Sequence, residues 1–344
     1  MKKVMNKKIL VILTSVASVV MGAFIIYLFQ GNGKGIEIPK LRPTECLDEK
    51  KEVSYKIEEK ESPLADAVVF VSDKSTEKES FSFKIENIFK TSTSIELHKC
   101  GVYVIRIFNY DPNKTRQNPG YKDEIWAYDY NGRGKLLVLL SEKPKEFISY
   151  YSLDFRINPD EKYVVLVKGY LGRDDYALVI KDLNNKEDIF SLFAKEIFKQ
   201  YPNIVGNFDM REWSKDSRYF WGDIFDGAYV LAYFRIDTQN WIYDIYEAPD
   251  GAGGGSPLNI NTGYVPIQPG QVWTGDYQLT QDLKEQYRKE GKKSELYLYN
   301  IFTNKKIFVE IDDEPLFWFK PTWVSDTELQ YELPSGEKKI YKIE

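Results

Sequence analysis

Imidazole or thiol chemistry has three side chains to draw on in this 344-residue chain: His98, Cys46 and Cys100. A Ser-His-Asp or Cys-His arrangement must therefore use His98 as its base, and a zinc framework of several Cys and His ligands is excluded. No G-x-S-x-G elbow presents a serine nucleophile, since "GGGSPL" at 253–258 has a different spacing. "DIFDG" at 223–227 lacks the alternating oxygen ligands of a calcium loop and reads as a turn. Carboxylates are plentiful. Asp123, Glu124, Asp174, Asp175, Asp209, Asp223 and Asp226 could supply the two facing carboxylates of a glycosidase, but none lies in a glycosidase motif. No catalytic residue, metal site or cofactor is expected on this basis.

Another group of aspartates recurs at intervals. "INPDEKY", "WSKDSRY", "WTGDYQL" and "WVSDTEL" share one frame: an apolar residue, two positions, Asp, two positions, an apolar residue. The frame places Ile157 with Asp160, Trp213 with Asp216, Trp273 with Asp276, and Trp323 with Asp326. Successive first positions are 56, 60 and 50 residues apart, and "LHKCGVY" at 97–103 keeps the apolar ends without the Asp. Asn or Ser followed by Pro or Lys and Asp is turn chemistry, because these side chains bond back to the backbone. An Asp repeated in every unit is thus read as a turn-holder rather than a catalyst, and the Trp residues as packing between units.

The elements that hold these turns repeat as well. Each frame is followed by a third apolar run ("EIWAYDY", "YALVIKDL", "YVLAYFRID", "ELYLYN", "KKIYKIE") and, in the first four, by a fourth such as "NWIYDIY". Four antiparallel strands per repeat of about 50–60 residues predict an all-β fold, a β-propeller of five blades, or six if "ADAVVFV" and weaker segments form another. "ESFSFKIENIF" at 79–89 alternates cleanly and is expected to close the ring by pairing with the last strand, Lys339–Ile343.

These frames, most clearly "WSKDSRY" and "INPDEKY", resemble the blades of TolB-like and WD-repeat-like propellers, whose usual turn is Trp-Ser-Pro-Asp-Gly. One copy keeps the Pro and another has Gly before the Asp, so the chain resembles a divergent relative. The resemblance covers residues 95–344 and implies partner binding in assembly of a bacterial cell envelope, with no partner-specific motif carried over.

Residues 9–29, "ILVILTSVASVVMGAFIIYLF", carry no charge and are long enough for a transmembrane signal anchor. Lys2, Lys3, Lys7 and Lys8 should hold residues 1–8 in the cytoplasm, which puts the C-terminal domain in the extracellular or periplasmic space. A cleaved signal peptide is the alternative. Residues 30–64 are polar and read as a stalk, followed by the propeller at 65–344. Outside the cytoplasm Cys46 and Cys100 can form a disulfide tying stalk to propeller, or remain two free thiols. "SLFAKEIFKQY" and "TQDLKEQYRKEG" have helical character, the latter with Thr280 as cap and Gly291 as terminator. Residues 248–270 read as a long loop, and the part carrying Tyr264 is a candidate ligand-binding element.

With 52 acidic against 47 Lys and Arg residues the chain is net −5, which disfavours nucleic acid as a partner. The expected function is a single-pass, membrane-anchored recognition or scaffold module for protein, peptide or glycan. A cell-envelope carbohydrate-active enzyme is the alternative.

Overall fold

The structure is a computed structural model that describes residues 46–47, 49–60, 64–89, 95–108, 122–139, 151–169, 176–227, 229–253, 256–271 and 277–343. The expected cytoplasmic tail and transmembrane anchor, and the stalk up to residue 45, lie outside the described residues. No helix among the described residues is long and apolar enough to cross a membrane. The described chain is mostly β and forms five antiparallel sheets in chain order.

Sheet I holds β1 (Lys51–Glu59), β2 (Leu64–Asp73), β3 (Glu79–Phe89), β5 (Val102–Phe108), β6 (Lys122–Tyr128) and β7 (Gly134–Leu139) in that order, with β4 (Ile95–Leu97) also on β5. Sheet II is β8 (Tyr151–Ile157), β9 (Tyr163–Lys168), β10 (Ala177–Asp182) and β11 (Asp188–Phe193). Sheet III is β12 (Asn207–Trp213), β13 (Tyr219–Phe225), β14 (Val230–Asp237) and β15 (Ile242–Glu247). Sheet IV has three strands, β16 (Tyr264–Ile267), β17 (Ser294–Asn300) and β18 (Lys305–Asp312). Sheet V also has three, β19 (Thr322–Trp323), β20 (Glu328–Glu332) and β21 (Lys338–Lys342).

Sheets II to V are meanders in which every strand pairs with its sequence neighbour, and successive sheets pack face against face. Val165, Leu178 and Ile180 of sheet II share a core with Phe208, Phe220 and Phe234 of sheet III. The opposite face of sheet III presents Trp221 and Tyr233 to Val265 and Ile267 of sheet IV. Leu296 and Leu298 of sheet IV then meet Leu329 and Tyr331 of sheet V. Strands buried on both faces read as nearly continuous apolar runs, as in "YVVLVK" of β9. Sheets stacked this way in chain order are how propeller blades are built.

Among the described residues two short helices interrupt the meanders. The first, α1 (Ala194–Gln200), buries Ala194 and Ile197 in the core between sheets II and III. The second, α2 (Tyr277–Lys289), lies in the connection from β16 to β17. Side-chain bonds of Gln278 to Asp282 and Gln286 to Glu290 run along it at helical spacing, and Glu314 accepts both Lys284 and Arg288.

Several expectations are corrected. β1 occupies 51–59, so the latter part of the expected stalk is a strand paired with β2 along its whole length. Val53 and Ile57 pack on the core of Ala65, Ala67 and Val69, while the Lys and Glu residues between them guard an open edge. β3 does not pair with β21; it forms a hairpin with β2 and meets β5 through Ile88 and Arg106. Local closure wins because the intervening turn is short and Asp73 holds it, accepting the amides of Ser75 and Thr76. Among the described residues no strand pairing joins sheet V to sheet I.

The third frame copy is also misplaced. Tyr277 to Leu279 of "WTGDYQL" begin α2 rather than a strand, and Thr280 is inside that helix, not its cap. Trp273 and Asp276 lie outside the described residues. The turn that opens sheet IV is "LNINTGY", Leu258 to Tyr264, with Asn261 in the Asp position. Residues 248–270 are therefore no free loop, since Ala252, Ser256, Leu258, Val265 and Ile267 are buried.

Candidate binding cleft

At three of the frames the first position is an apolar anchor and the next residue holds the turn. The amide of Asn158 donates to the carbonyl of Tyr163, that of Ser214 to Tyr219, and that of Asn259 to Tyr264. The side chains of Asn158 and Ser214 accept the returning amides of Tyr163 and Tyr219, at 2.6 and 2.8 Å. Asn259 Oδ1 instead accepts from Asn261 and Thr262. Turn-holding thus falls to these three residues more than to the frame aspartates. Asp160 is exposed, and among the described frame aspartates only Asp216 contributes within its own turn, accepting Ser214 Oγ and the Arg218 amide. Ile157 is buried and its amide donates to Glu96 Oε2 of sheet I.

The frame tryptophans staple one sheet to the previous one. Trp213 Nε1 donates to the carbonyl of Arg156, and Trp323 Nε1 to that of Pro257. Each acceptor is the residue just before a frame's first position, Ile157 in one case and Leu258 in the other. This equivalence makes "LNINTGY" a frame with Asn261 in place of the Asp. Across the same junction of sheets IV and V, Asp326 accepts Asn261 Nδ2 at its carboxylate and Asn259 Nδ2 at its carbonyl. Between sheets I and II, Glu161 accepts the Cys100 amide and the Tyr103 hydroxyl.

The Trp323 staple between sheets V and IV, and the apolar core between sheets III and IV, bring three consecutive frame turns together around a two-lobed cleft. One lobe, of about 390 Å³, lies between the turns of sheets III, IV and V; Trp213, Lys215, Leu258, Asn261, Trp323 and Asp326 are among its lining. The other, of about 330 Å³, shares Lys215, Ile260 and Asn261 with the first and adds Asp216, Tyr219, Trp221, Arg235 and Phe302. Both are the size of small-molecule sites. Arg235 is fixed in the second lobe by Asp244, which accepts Nε at 3.1 Å and one terminal nitrogen at 2.5 Å. Its guanidinium lies 4.9 to 5.9 Å from the ring centres of Tyr219, Trp221, Tyr246 and Phe302. Phe302 is 41% exposed at the mouth. Its ring covers Gly263, whose φ of +74° and lack of Cβ permit that approach; a Cβ there would come within 2.4 Å of the ring.

The remaining sequence candidates lie elsewhere. Tyr264 opens β16 and is half-buried against the core between sheets IV and V. Cys46 and Cys100 form a disulfide. His98 Nε2 lies 3.0 Å from Glu96 Oε2, and its ring packs edge-on to Tyr103. Glu124 accepts Trp126 Nε1, and Asp226 accepts the Tyr229 amide. Asp123 falls in β6, while Asp174 and Asp175 lie outside the described residues.

Asp223 is different in kind. It pairs in register with Asp209 on β12 and Tyr233 on β14, on the face of sheet III turned toward sheet IV. The carboxylate is 1% exposed, and one of its oxygens accepts Nε and a terminal nitrogen of Arg211. The other oxygen, the Tyr233 hydroxyl and Ser256 Oγ are buried without a partner. Burial pushes Asp223 up to about 6 against the pull of Arg211, and Asp209 pushes the same way.

Sequence reasoning missed Arg235, Phe302 and Lys215. Arg235 carries no local signal because it alternates within an ordinary strand, "VLAYFRID". The signal for Asn261 was present, in the apolar residues three positions to either side of it.

No family model matches the sequence, and no curated protein matches it. Solved structures resemble it at low identity. The propeller domain of the trilobed protease from Pyrococcus furiosus, described as having an open velcro topology, is 10% identical, with 86% of this chain and 79% of that one covered and a TM-score of 0.42. TolB from Acinetobacter baumannii is 10% identical, covering 85% and 79%, with a TM-score of 0.31. A prolyl endopeptidase is 11% identical with a TM-score of 0.44; 87% of this chain is covered but only 41% of that protein. These likenesses assign neither family nor activity.

Proposed function

We propose that this chain is a membrane-anchored, extracytoplasmic β-propeller that serves as a recognition or scaffold module for protein, peptide or glycan, and that the two-lobed cleft is where it binds. The observation that carries the reading is the convergence of three repeated turns on one cleft, where Phe302 and Val324 remain exposed among polar side chains. Exposed apolar side chains grouped with polar ones mark contact surfaces. The carbohydrate-active enzyme is the weaker reading. A glycosidase acid needs a raised pKa and contact with substrate; Asp223 has the first but is 1% exposed.

Hydroxyl-radical footprinting on native membranes and on the purified chain tests the proposal. Phe302 and Trp323 should be protected in membranes and become reactive on purification, while Ile242 of β15, which is 56% exposed, stays reactive in both. Equal reactivity of the cleft residues in the two samples would remove this cleft as the binding surface. Protease added to intact cells, or to spheroplasts where there is an outer membrane, should degrade the domain; protection would place it in the cytoplasm.

A further inference from the structure

We infer that the cleft lobe walled by Phe302 and Arg235 takes a neutral sugar ring, so that the module's ligand is a neutral glycan. The inference rests on the recognition reading above and narrows it to one ligand class. Four polar groups of the lobe keep capacity that the protein does not fill. Lys215 makes no ion pair or hydrogen bond with a described residue, and Arg235 has a second terminal nitrogen without an acceptor. Asp216 uses one oxygen for Ser214 and Arg218 and leaves the other open, and Asn261 commits its amide nitrogen to Asp326 and leaves its oxygen.

Open donors and open acceptors therefore face one space. A carboxylate or phosphate would satisfy the donors and be repelled by Asp216. An ammonium would satisfy the acceptors and be repelled by Lys215 and Arg235. A hydroxyl donates and accepts at once, so a ring bearing several hydroxyls can fill both kinds of group. Charge points the same way, because Lys215 is offset by Asp216 and Arg235 by Asp244. The exposed face of Phe302 gives an apolar surface for the C–H face of a sugar ring. Arg235 is already fixed by Asp244 and four aromatic rings, so binding freezes little further side-chain freedom there.

The test is titration of the purified full-length chain, in a detergent without a sugar headgroup, with chitotetraose, cellotetraose and maltotetraose. Tetragalacturonate and a Glu-rich peptide serve as acidic comparators. At least one neutral tetramer should bind saturably and more tightly than either acidic probe. Phe302→Ala should weaken that binding by about tenfold, the scale of one aromatic contact. Lys215→Gln, at an exposed residue with no packing role, should weaken it several-fold while leaving thermal unfolding unchanged. Binding of no neutral tetramer, tighter binding of an acidic probe, or unchanged affinity in both variants overturns the inference. Protection of Phe302 in membranes without sugar binding in vitro would leave the recognition reading in place and the ligand class wrong; absence of that protection would remove the recognition reading itself.

Discussion

Asp223→Asn should make the domain more stable at neutral pH than at acid pH relative to the parent chain. Asp223 sits 1% exposed between Asp209 and Tyr233, with Arg211 on one oxygen and nothing on the other. Its carboxyl is held at about 6 in the folded state against 3.8 ordinarily. A folded-state value above the unfolded one means that the folded protein binds the proton more tightly. The stabilisation from protonated Asp223 is then fully present below about 3.8 and is lost as pH rises through about 6. The span between the two values corresponds to about 3 kcal/mol at full ionisation.

Asn matches the protonated carboxyl in shape and cannot ionise. Denaturant unfolding of the parent and of Asp223→Asn at half-unit steps from pH 4 to 8 isolates the effect, since every other titrating group is common to both. The difference in stability should shift toward the variant by about 2 kcal/mol across that range, steeply between about pH 4 and 6, with half of the shift reached at about pH 5 and little left to change above about pH 7. A flat difference would falsify the assignment of a raised value to Asp223. A shift toward the parent would mean that attraction to Arg211 outweighs burial, and the polar cluster between sheets III and IV would then be an ordinary buried ion pair.

Asp66 should show the opposite slope: Lys60 at 2.6 Å, Lys84 at 2.9 Å and the Asn87 amide hold it down to about 2, so Asp66→Asn should lose about 2 kcal/mol at pH 7 and progressively less as pH falls below 4. Gly263→Ala puts a Cβ into the Phe302 ring at a φ of +74°, and should lower stability by about 1–3 kcal/mol in thermal unfolding. It should also weaken binding at the cleft as Phe302→Ala does, whereas full affinity in a destabilised protein would separate Phe302 from the site. Reducing the Cys46–Cys100 disulfide opens a loop of 54 residues' separation and should cost about 4 kcal/mol if chain entropy governs its contribution; an unchanged unfolding curve in reductant would show that β1 is already held by its pairing with β2 alone.

The hairpins were legible because their information is local. A turn-former between two alternating runs specifies a hairpin wherever it stands, and the strand triplets after "INPDEKY" and "WSKDSRY" fold as their residues dictate. The frame itself was legible in part, because its conserved demand is physical rather than alphabetic. The turn needs an apolar anchor with a side chain just after it that accepts a backbone amide: Asn259 meets that need directly beside Leu258 without any Asp, and Ser325 meets it two positions after Trp323. "WTGDYQL" satisfies the lettering but runs directly into a segment that forms α2. Strand order is a different matter. "ESFSFKIENIF" has the alternation for an edge on either sheet I or sheet V, and only the short connection held by Asp73 selects β2 as its partner.

The cleft was the least legible feature, and the reason follows from how it is assembled. Lys215 and Asn261 belong to frame turns, but Arg235 and Phe302 come from a third strand and from the turn after another, 67 residues apart in sequence and on different sheets. What places them together is the packing of sheet III on sheet IV, Trp221, Val230 and Tyr233 against Val265, Ile267 and Ile301, while the indole staples tie these sheets to their outer neighbours, III to II and V to IV. The repeat therefore has a second consequence beyond forming hairpins. By setting the same anchor at the same place in each sheet, it makes three turns meet, and the side chains free to vary between anchors become the wall of a common site. In the proposed recognition role the contacts come from those intervening positions: Lys215 and Asp216 in one turn, Ile260 and Asn261 in the next, and Val324 and Ser325 in the last.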